Sequence, residues 1–215
     1  EDQAEGADGY DEQARRDLLR VYEIALSRSG TPSEDARQRL IERFGRRSWC
    51  LYLDVDEQMV FPGSDGLTLR HLIRYLSERG HEAVRGFMLD MYADPLHEGA
   101  SYEAGMEPAK ACPWFDNRFR VWGQLSAPYV RVEGGMRNRV FMSGTSRPSL
   151  GKVPLFRGDR EVKLLASSHK VTPAVVSDVT CVLLHFKFLG PYVERFSEEA
   201  MRGEHSDQAR LYIKY

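Results

Sequence analysis

The chain has 215 residues, of which 42% are hydrophobic and 29% are charged, and its formal net charge is -2. This length and composition are typical of a folded domain, and we expect one domain over residues 1–215. A net charge this close to zero excludes an overall basic field that would hold nucleic acid or an anionic membrane.

Cysteine spacing and hydropathy predict the cellular location of the protein. Cys50, Cys112 and Cys181 lie far apart without a C-x-x-C pair, which favours reduced thiols over a zinc or redox centre. The sequence has neither an apolar run of eighteen residues nor a charged-then-apolar leader. We therefore expect no membrane span and no secretion signal, and a cytoplasmic location.

The N-terminal part predicts a disordered end and two helices. Residues 1–8 are acidic and small, and we expect disorder there. Residues 10–30 have apolar side chains at helical spacing. Residues 31–45 open with Thr31, a good N-cap, and close on Gly45, which predicts a second helix.

The stretch "WCLYLDV", residues 49–55, is apolar up to its first acid. A continuous apolar run of this length predicts a strand that is covered on both faces. Asp54, Asp56 and Glu57 then fall at its carboxyl end. In open α/β sheets this end is where ligands bind.

The rest of the chain completes an α/β pattern. Residues 67–80 predict a helix, and residues 82–94 predict a strand followed by Asp90 and Asp94. Residues 99–150 are rich in glycine, proline and aromatics, which predicts short strands and loops. The last part predicts three strands and then two helices, at 152–156, 162–169, 179–188, 192–203 and 206–215.

The acids after the first strand suggest a metal site. Asp54 and Asp56 can both reach one hard cation, and Glu57 adds an oxygen donor, a set that suits Mg²⁺ or Mn²⁺. His185, in "VLLHFKF", is a candidate third ligand, and His169 competes for that role. The alternatives are that the acids begin a polar loop and that His185 is a core histidine.

Five stretches, in chain order, carry a resemblance to a known family: "WCLYLDVDEQMVFPG", "RGFMLDMYAD", "KVPLF", "SSHKVTP" and "LLHFKF". From about Trp49 to the C-terminus the chain resembles family-2-like bacterial glycosyltransferases, with a D-x-D-E motif. The resemblance implies a GT-A-like (Rossmann-like) mixed sheet flanked by helices. It also implies sugar transfer from a nucleotide-diphosphate donor, with Asp54 and Asp56 facing cation and diphosphate, Glu57 supporting them and His185 completing the metal site.

The sequence departs from this family before the acids. Family members have a nucleotide-binding half there, whereas only two predicted helices precede Trp49. We therefore expect that half to be absent or truncated, and binding of a nucleotide sugar by this chain to be weak or lost.

Sugar transfer needs further groups, and the sequence offers candidates. Lys152 or Lys187 would stabilise the departing diphosphate. An inverting enzyme also needs a carboxylate to take the proton of the acceptor hydroxyl, on a glycan or another molecule, and Asp90, Asp94 and Asp116 are candidates. Each of these acids can instead serve as a cap, a turn residue or a surface ion pair.

The segment "WFDNRFRVW" combines aromatics with arginines. Trp114 and Phe115 are placed to stack on a sugar ring. Stacking on single-stranded nucleic acid is the competing interpretation. Because Asp116 balances the local charge and no basic stripe follows, we expect a pocket wall and no nucleic-acid partner.

Two other functions compete with the transferase. "LYLDVDEQMV" also resembles the haloacid-dehalogenase-like phosphatases, in which Asp54 would be the nucleophile and Asp56 its acid/base partner. It departs from that signature at Gln58, where those enzymes usually carry threonine, and the sequence offers no convincing later pair of adjacent acids for their metal. The other alternative is a non-catalytic binding module that keeps the sheet and the acids.

Overall fold

The structure is a computed structural model that describes residues 34–94, 101–103, 105–123, 129–141, 149–158, 163–165, 169–172, 174–190, 196–198 and 201. The predicted disordered end at 1–8 and the predicted helices at 10–30 and 206–215 lie outside these residues. Of the predicted helix at 192–203, residues 196–198 and 201 are described, and they are helical. None of the helices in the described ranges is long and apolar enough to cross a membrane.

Helices and strands both contribute to the fold. The helices are α1 (Glu34–Phe44), α2 (Leu69–Glu78), α3 (Pro108–Ala111) and α4 (Gly135–Val140). The strands are β1 (Trp49–Leu51), β2 (Glu57–Val60), β3 (Ala83–Tyr92), β4 (Trp114–Phe115), β5 (Phe119–Trp122), β6 (Arg131–Gly134), β7 (Gly151–Arg157), β8 (Leu164–Leu165), β9 (Lys170–Val171) and β10 (Val176–His185). The predicted α/β class is confirmed.

A mixed six-stranded sheet forms the centre of the fold. Its order is β1-β7-β3-β10-β2, and β4 pairs with the end of β3. Strands β3 and β10 are parallel, whereas the other paired neighbours in this sheet are antiparallel. Because β3 and β10 run the same way, their carboxyl ends lie at one edge of the sheet.

The strand register brings three polar residues into one row. His185 is the partner of Asp90 on β3 and of Glu57 on β2. All three are buried. Apolar side chains lie behind them, for example Leu183 and Met88, which are also register partners. The row is therefore a polar end to an apolar sheet.

The prediction for the stretch 49–55 is partly wrong. Strand β1 ends at Leu51 and pairs with β7 alone, at the edge of the sheet, so it is half-buried or exposed instead of covered on both faces. Asp54 and Asp56 lie in the turn between β1 and β2, and Glu57 already belongs to β2. The apolar run extends beyond β1 because Tyr52 and Leu53, which lead from the strand into this turn, are also half-buried.

Other predicted elements agree better. The predicted strand at 152–156 corresponds to β7, and the predicted helix at 67–80 corresponds to α2, whose Leu72 and Leu76 pack in the core. The predicted strand at 162–169 is much shorter in the described residues, where β8 covers Leu164–Leu165. Asp90 lies within β3, not after it, because the strand continues to Tyr92 to pair with β4.

The buried cysteines are free thiols. Cys112 and Cys181 are buried, and Cys50 is half-buried. Burial raises the pKa of the Cys112 thiol to about 11 and that of the Cys181 thiol to about 12. Both thiols are therefore protonated at neutral pH, which suits packing and does not suit metal binding or nucleophilic attack.

Candidate functional site

His185 is held between two carboxylates at the end of β10. Its Nδ1 lies 2.7 Å from Oδ1 of Asp90, and its Nε2 lies 3.4 Å from Oδ2 of Asp56. The turn that carries Asp56 is tied to this place, because the amide of Phe186 donates a hydrogen bond of 2.8 Å to the Asp56 carbonyl. Asp56 is partly exposed, so it is the solvent side of the group.

Arg137, from α4, fixes the buried side of this group. Its Nε donates to Oδ2 of Asp90 at 3.1 Å, and its Nη2 pairs with Oδ1 of the same carboxylate. Nη2 also lies 3.0 Å from Nδ1 of His185. Burial alone would raise the pKa of Asp90, but the charge of Arg137 and the hydrogen bond from His185 outweigh it and hold the pKa well below its usual range.

Asp90 is therefore ill-suited to the catalytic role predicted for it. A carboxylate that is buried, ionised and held by a bidentate arginine neither reaches an acceptor nor takes a proton readily. Its position suits a different role, which is to hold the His185 ring in one orientation. Arg137 carries no comparable signal in the sequence, because it lies in a segment that predicts only loops and short strands.

The same contacts decide the charge on His185 and Asp56. Burial would lower the pKa of His185, but its hydrogen bonds with Asp56 and Asp90 outweigh burial, and the pKa is raised. Burial would likewise raise the pKa of Asp56, and the hydrogen bond and charge of His185 reverse the direction and lower it. Without a metal, the group favours an imidazolium between two carboxylates.

A second polar centre surrounds Lys152, which lies on β7 and is completely buried. Its Nζ lies 2.6 Å from Oε2 of Glu57 and 3.0 Å from Oδ2 of Asp54. The amide of Asp54 also donates to Oε2 of Glu57, at 3.1 Å. Burial raises the pKa of Glu57 against the opposing charge of Lys152.

This geometry changes two predicted roles. Lys152 was expected to face a diphosphate, but its charge is already used by Glu57 and Asp54. Asp54 and Asp56 were expected to hold one cation together. The structure instead places Asp54 with Lys152 and Asp56 with His185, because the turn directs the two side chains to different partners.

His169 belongs to the Lys152 centre. It is half-buried, and its Nδ1 lies 3.3 Å from the Gly151 carbonyl oxygen. Burial, with the charge of Lys152, lowers the pKa of His169. The lowered pKa favours the neutral imidazole. Because the carbonyl oxygen can only accept, Nδ1 carries the proton and Nε2 is left as an acceptor.

The residues present fit a cation whose coordination is completed by oxygen atoms of the substrate. In the part of the chain that the structure describes, no group of three or more His, Cys, Asp or Glu residues could hold a metal ion. Asp56 and His185 nevertheless form a pair of potential ligands, and Asp90 holds the other ring nitrogen, as is usual for metal-binding histidines. Mg²⁺ is commonly bound by one or two protein carboxylates together with substrate phosphates.

Lys187 lies beside this pair. It follows β10 in a turn, is half-buried, and its charge helps to lower the pKa of Asp56. Its Nζ also lies 5.4 Å from the ring centre of Phe196. Of the two predicted lysines, Lys187 is thus the better placed for a phosphate bound at Asp56.

Asp116 lies in a separate cleft nearby. It accepts hydrogen bonds from the Tyr92 hydroxyl at 2.9 Å and from Nε and Nη2 of Arg139 at 2.6 and 3.0 Å. The hydrogen bonds from Arg139 are the main cause of the lowered pKa of Asp116. The cleft has a volume of about 550 Å³. Its lining includes Phe115, Asp116, Asn117, Arg118, Asn138 and Arg139.

The group around His185 and the Asp116 cleft are neighbours because α4 and β3 contribute residues to both. Helix α4 supplies both Arg137, which binds Asp90, and Arg139, which binds Asp116. Tyr92 is two residues beyond Asp90 on β3, a distance of about 7 Å along a strand. The charge of Asp90 is close enough to act on Asp116. Asp94, the other predicted base, is exposed beyond the end of β3.

The chain was compared with protein-family models, with curated proteins and with solved structures, and none of them matches. The resemblance to family-2-like glycosyltransferases therefore stays a prediction from the motifs.

Proposed function

We propose that the chain is a metal-dependent glycosyltransferase of GT-A-like fold, which transfers a sugar from a nucleotide-diphosphate donor to a hydroxyl group of a glycan or another acceptor. The observation that carries this proposal is the pair Asp56 and His185, held by Asp90 at the end of two parallel strands. The pair is partly open to solvent on the Asp56 side, where a donor would approach.

Asp56 and His185 are the residues that would hold Mn²⁺ or Mg²⁺. The ion, when bound, neutralises negative charge on the diphosphate as it leaves. His185 must be neutral to bind it, so its Nε2 proton is released, while its Nδ1 proton stays on the hydrogen bond to Asp90. Arg137 keeps Asp90 ionised and therefore keeps this orientation.

The remaining predicted residues have supporting roles. Lys187, beside Asp56, supplies a positive charge for the diphosphate. Lys152 neutralises Glu57 and one oxygen of Asp54, which keeps the turn between β1 and β2 in one conformation. Asp54 is about half exposed, so its other carboxylate oxygen can accept a hydrogen bond from a donor hydroxyl.

Of the three predicted bases, Asp116 is the best placed. Arginines hold both Asp116 and Asp90 ionised, but Asp116 lines a cleft, whereas Asp90 is buried. An acceptor hydroxyl in the cleft can donate its hydrogen bond to an Asp116 oxygen and pass its proton there as the bond to the sugar forms. Half-exposed Phe115 lines this cleft and offers an aromatic face to a sugar ring.

The test is a calorimetric titration of Mn²⁺ into the chain, with and without a panel of nucleoside diphosphates. We expect the nucleotide to strengthen Mn²⁺ binding, and this effect to disappear in Asp56→Asn and in His185→Gln. Asp65→Asn, which changes an exposed aspartate in a turn away from the site, is the matched control. No Mn²⁺ or nucleotide binding by the unchanged chain would instead favour the non-catalytic module.

A further variant, Asp54→Asn, distinguishes the transferase from the phosphatase. That function needs Asp54 as nucleophile, so Asp54→Asn would abolish hydrolysis of a simple phosphate ester. In the transferase, Asp54→Asn leaves the Asp56 and His185 pair intact and weakens Mn²⁺ binding less than Asp56→Asn does. Phosphate-ester hydrolysis that depends on Asp54 would contradict the proposal.

A further inference from the structure

We propose that the cleft around Asp116 binds a sugar that carries an anionic group, most simply a carboxylate as in a uronic acid. A second cleft of about 500 Å³ adjoins the first, and Asn117, Arg118, Gly134 and Asn138 line both. Clefts of this size accommodate small organic ligands. That this ligand is the acceptor rests on the proposed function, whereas its binding does not.

The charges of the lining residues favour an anion. The two acids that line the clefts are already paired, Asp116 with Arg139 and Glu133 with Arg131. The side chains of Arg118 and Arg120 are exposed, and among the described residues neither has a hydrogen bond or ion pair. Glu133 is also the register partner of Arg120, but its carboxylate pairs with Arg131, so the guanidinium groups of Arg118 and Arg120 face the clefts without an ion-pair partner among the described residues. Guanidinium matches a carboxylate or phosphate with two parallel hydrogen bonds.

The uncharged lining favours a hydroxyl-bearing ring. Asn138 lines both clefts, and its Oδ1 is buried without a hydrogen-bond partner in the described residues, so rotation of its side chain would bring an unused acceptor to a ligand hydroxyl. Asn117 is exposed at the same cleft and can both donate and accept. Phe115 lines the cleft and is 50% exposed. Aromatic faces of this kind pack against the C–H side of a sugar ring.

Together these groups describe the ligand. Amide oxygens and nitrogens match ring hydroxyls, an aromatic face matches the ring, and Arg118 with Arg120 matches one negative charge. A neutral sugar would leave both guanidinium groups unused. A simple anion would leave the amides and the aromatic faces unused.

The experiment is calorimetric titration of the full chain, without metal or nucleotide, with three ligands that share a ring: glucuronate, glucose and glucose 6-phosphate, each as the methyl glycoside. We expect the glucuronate to bind at least ten times more tightly than the glucose, and its affinity to fall as salt is added. Equal affinity for the glucose and the glucuronate overturns the proposal. Binding of the sugar phosphate alone overturns the carboxylate assignment.

Variants locate the site. Arg118→Gln with Arg120→Gln should weaken binding of the glucuronate at least tenfold. Arg70→Gln with Arg74→Gln removes two exposed charges on α2, away from the clefts, and should change the affinity less than twofold. Phe115→Ala should weaken the glucuronate and the glucose alike. Undiminished glucuronate binding by the Arg118 and Arg120 variant overturns the proposal, once urea unfolding shows that the variant is folded.

Asp56→Asn separates this inference from the proposed function. We expect that variant to lose nucleotide-stimulated Mn²⁺ binding and to keep glucuronate binding. If Mn²⁺ and nucleotide bind as proposed but glucuronate does not, the cleft assignment alone is wrong. If glucuronate binds but Mn²⁺ and nucleotide never do, the transferase is wrong and the saccharide site stands.

Discussion

The ammonium group of Lys152 lies 2.6 Å from Oε2 of Glu57, and neither side chain is exposed to solvent. Removal of one partner from a buried ion pair leaves an uncompensated charge, which costs roughly 3–5 kcal/mol of unfolding free energy. We therefore expect Lys152→Met to destabilise the chain by this amount at pH 7. Urea unfolding measures it.

The cost in Lys152→Met should depend on pH in a defined direction. Burial raises the pKa of Glu57 above 4.5, so the folded state binds this proton more tightly than the unfolded state. Stability from this group is complete below the unfolded pKa and is lost as pH rises through the folded pKa. Lys152→Met, which lacks the opposing charge, should thus recover stability on acidification. The double variant Lys152→Met with Glu57→Leu should lose less than the single variant at pH 7, and an equal or larger loss would contradict the argument.

Asp90 predicts the opposite pH dependence. Its folded pKa is held below the usual 3.8 by Arg137 and His185, which outweigh burial. Its stabilisation is therefore present above about pH 4 and is lost as pH falls through the folded pKa. We expect Asp90→Asn to cost roughly 3–5 kcal/mol at pH 7 and progressively less below pH 4. Asp94→Asn, at an exposed site, is the control and should cost little at either pH.

The sequence predicts the parts of this arrangement that depend on local pattern. Strands β3 and β7 and helix α2 follow from apolar runs and from periodicity, and the quoted motifs drew attention to Asp56, Lys152 and His185. In the structure, Asp56 and His185 lie in one group, and Lys152 lies in the neighbouring one with Glu57 and Asp54. Their division into separate pairs was not predictable, because it depends on the direction that one turn gives to Asp54 and Asp56.

Arg137 shows most plainly what local pattern omits. Its contact with Asp90 requires the register that pairs His185 with Asp90, and also the position of α4 over the end of β3. Both are tertiary features: the register joins residues that are 95 positions apart, and the contact of Arg137 with Asp90 joins residues that are 47 positions apart. The edge position of β1 is also tertiary, since an apolar run looks the same at the centre and at the edge of a sheet.

Asp116→Asn should lower the rate of sugar transfer and leave Mn²⁺ binding unchanged. If it takes the acceptor proton, Asp116→Asn should lower kcat by a factor of about 10²–10⁴. Nucleotide-stimulated Mn²⁺ binding should be unchanged, because Asp116 does not contact Asp56 or His185 in the structure. Transfer to the acceptor, compared with the Mn²⁺ titration of the same variant, checks this. A loss of Mn²⁺ binding would indicate a structural role for the Asp116 and Arg139 pair.

Gly134 should support both the group around His185 and the Asp116 cleft, because it is the residue from which α4 starts. Its φ is +133°, and an added Cβ would lie 2.2 Å from the Arg118 carbonyl oxygen, so Gly134→Ala requires the backbone to move. Gly80 also has a positive φ, +68°, but nothing lies within 4 Å of an added Cβ. Gly80→Ala should therefore cost only the conformational term, about 1–2 kcal/mol, and Gly134→Ala should cost more.

The two glycine variants also differ in their effect on binding. Displacement of α4 moves Arg137 away from Asp90 and Arg139 away from Asp116. Gly134→Ala should therefore weaken both nucleotide-stimulated Mn²⁺ binding and glucuronate binding, whereas Gly80→Ala should weaken neither. If Gly134→Ala is folded and binds both ligands as the unchanged chain does, α4 does not couple the two centres, and Arg137 loses its role in orienting His185.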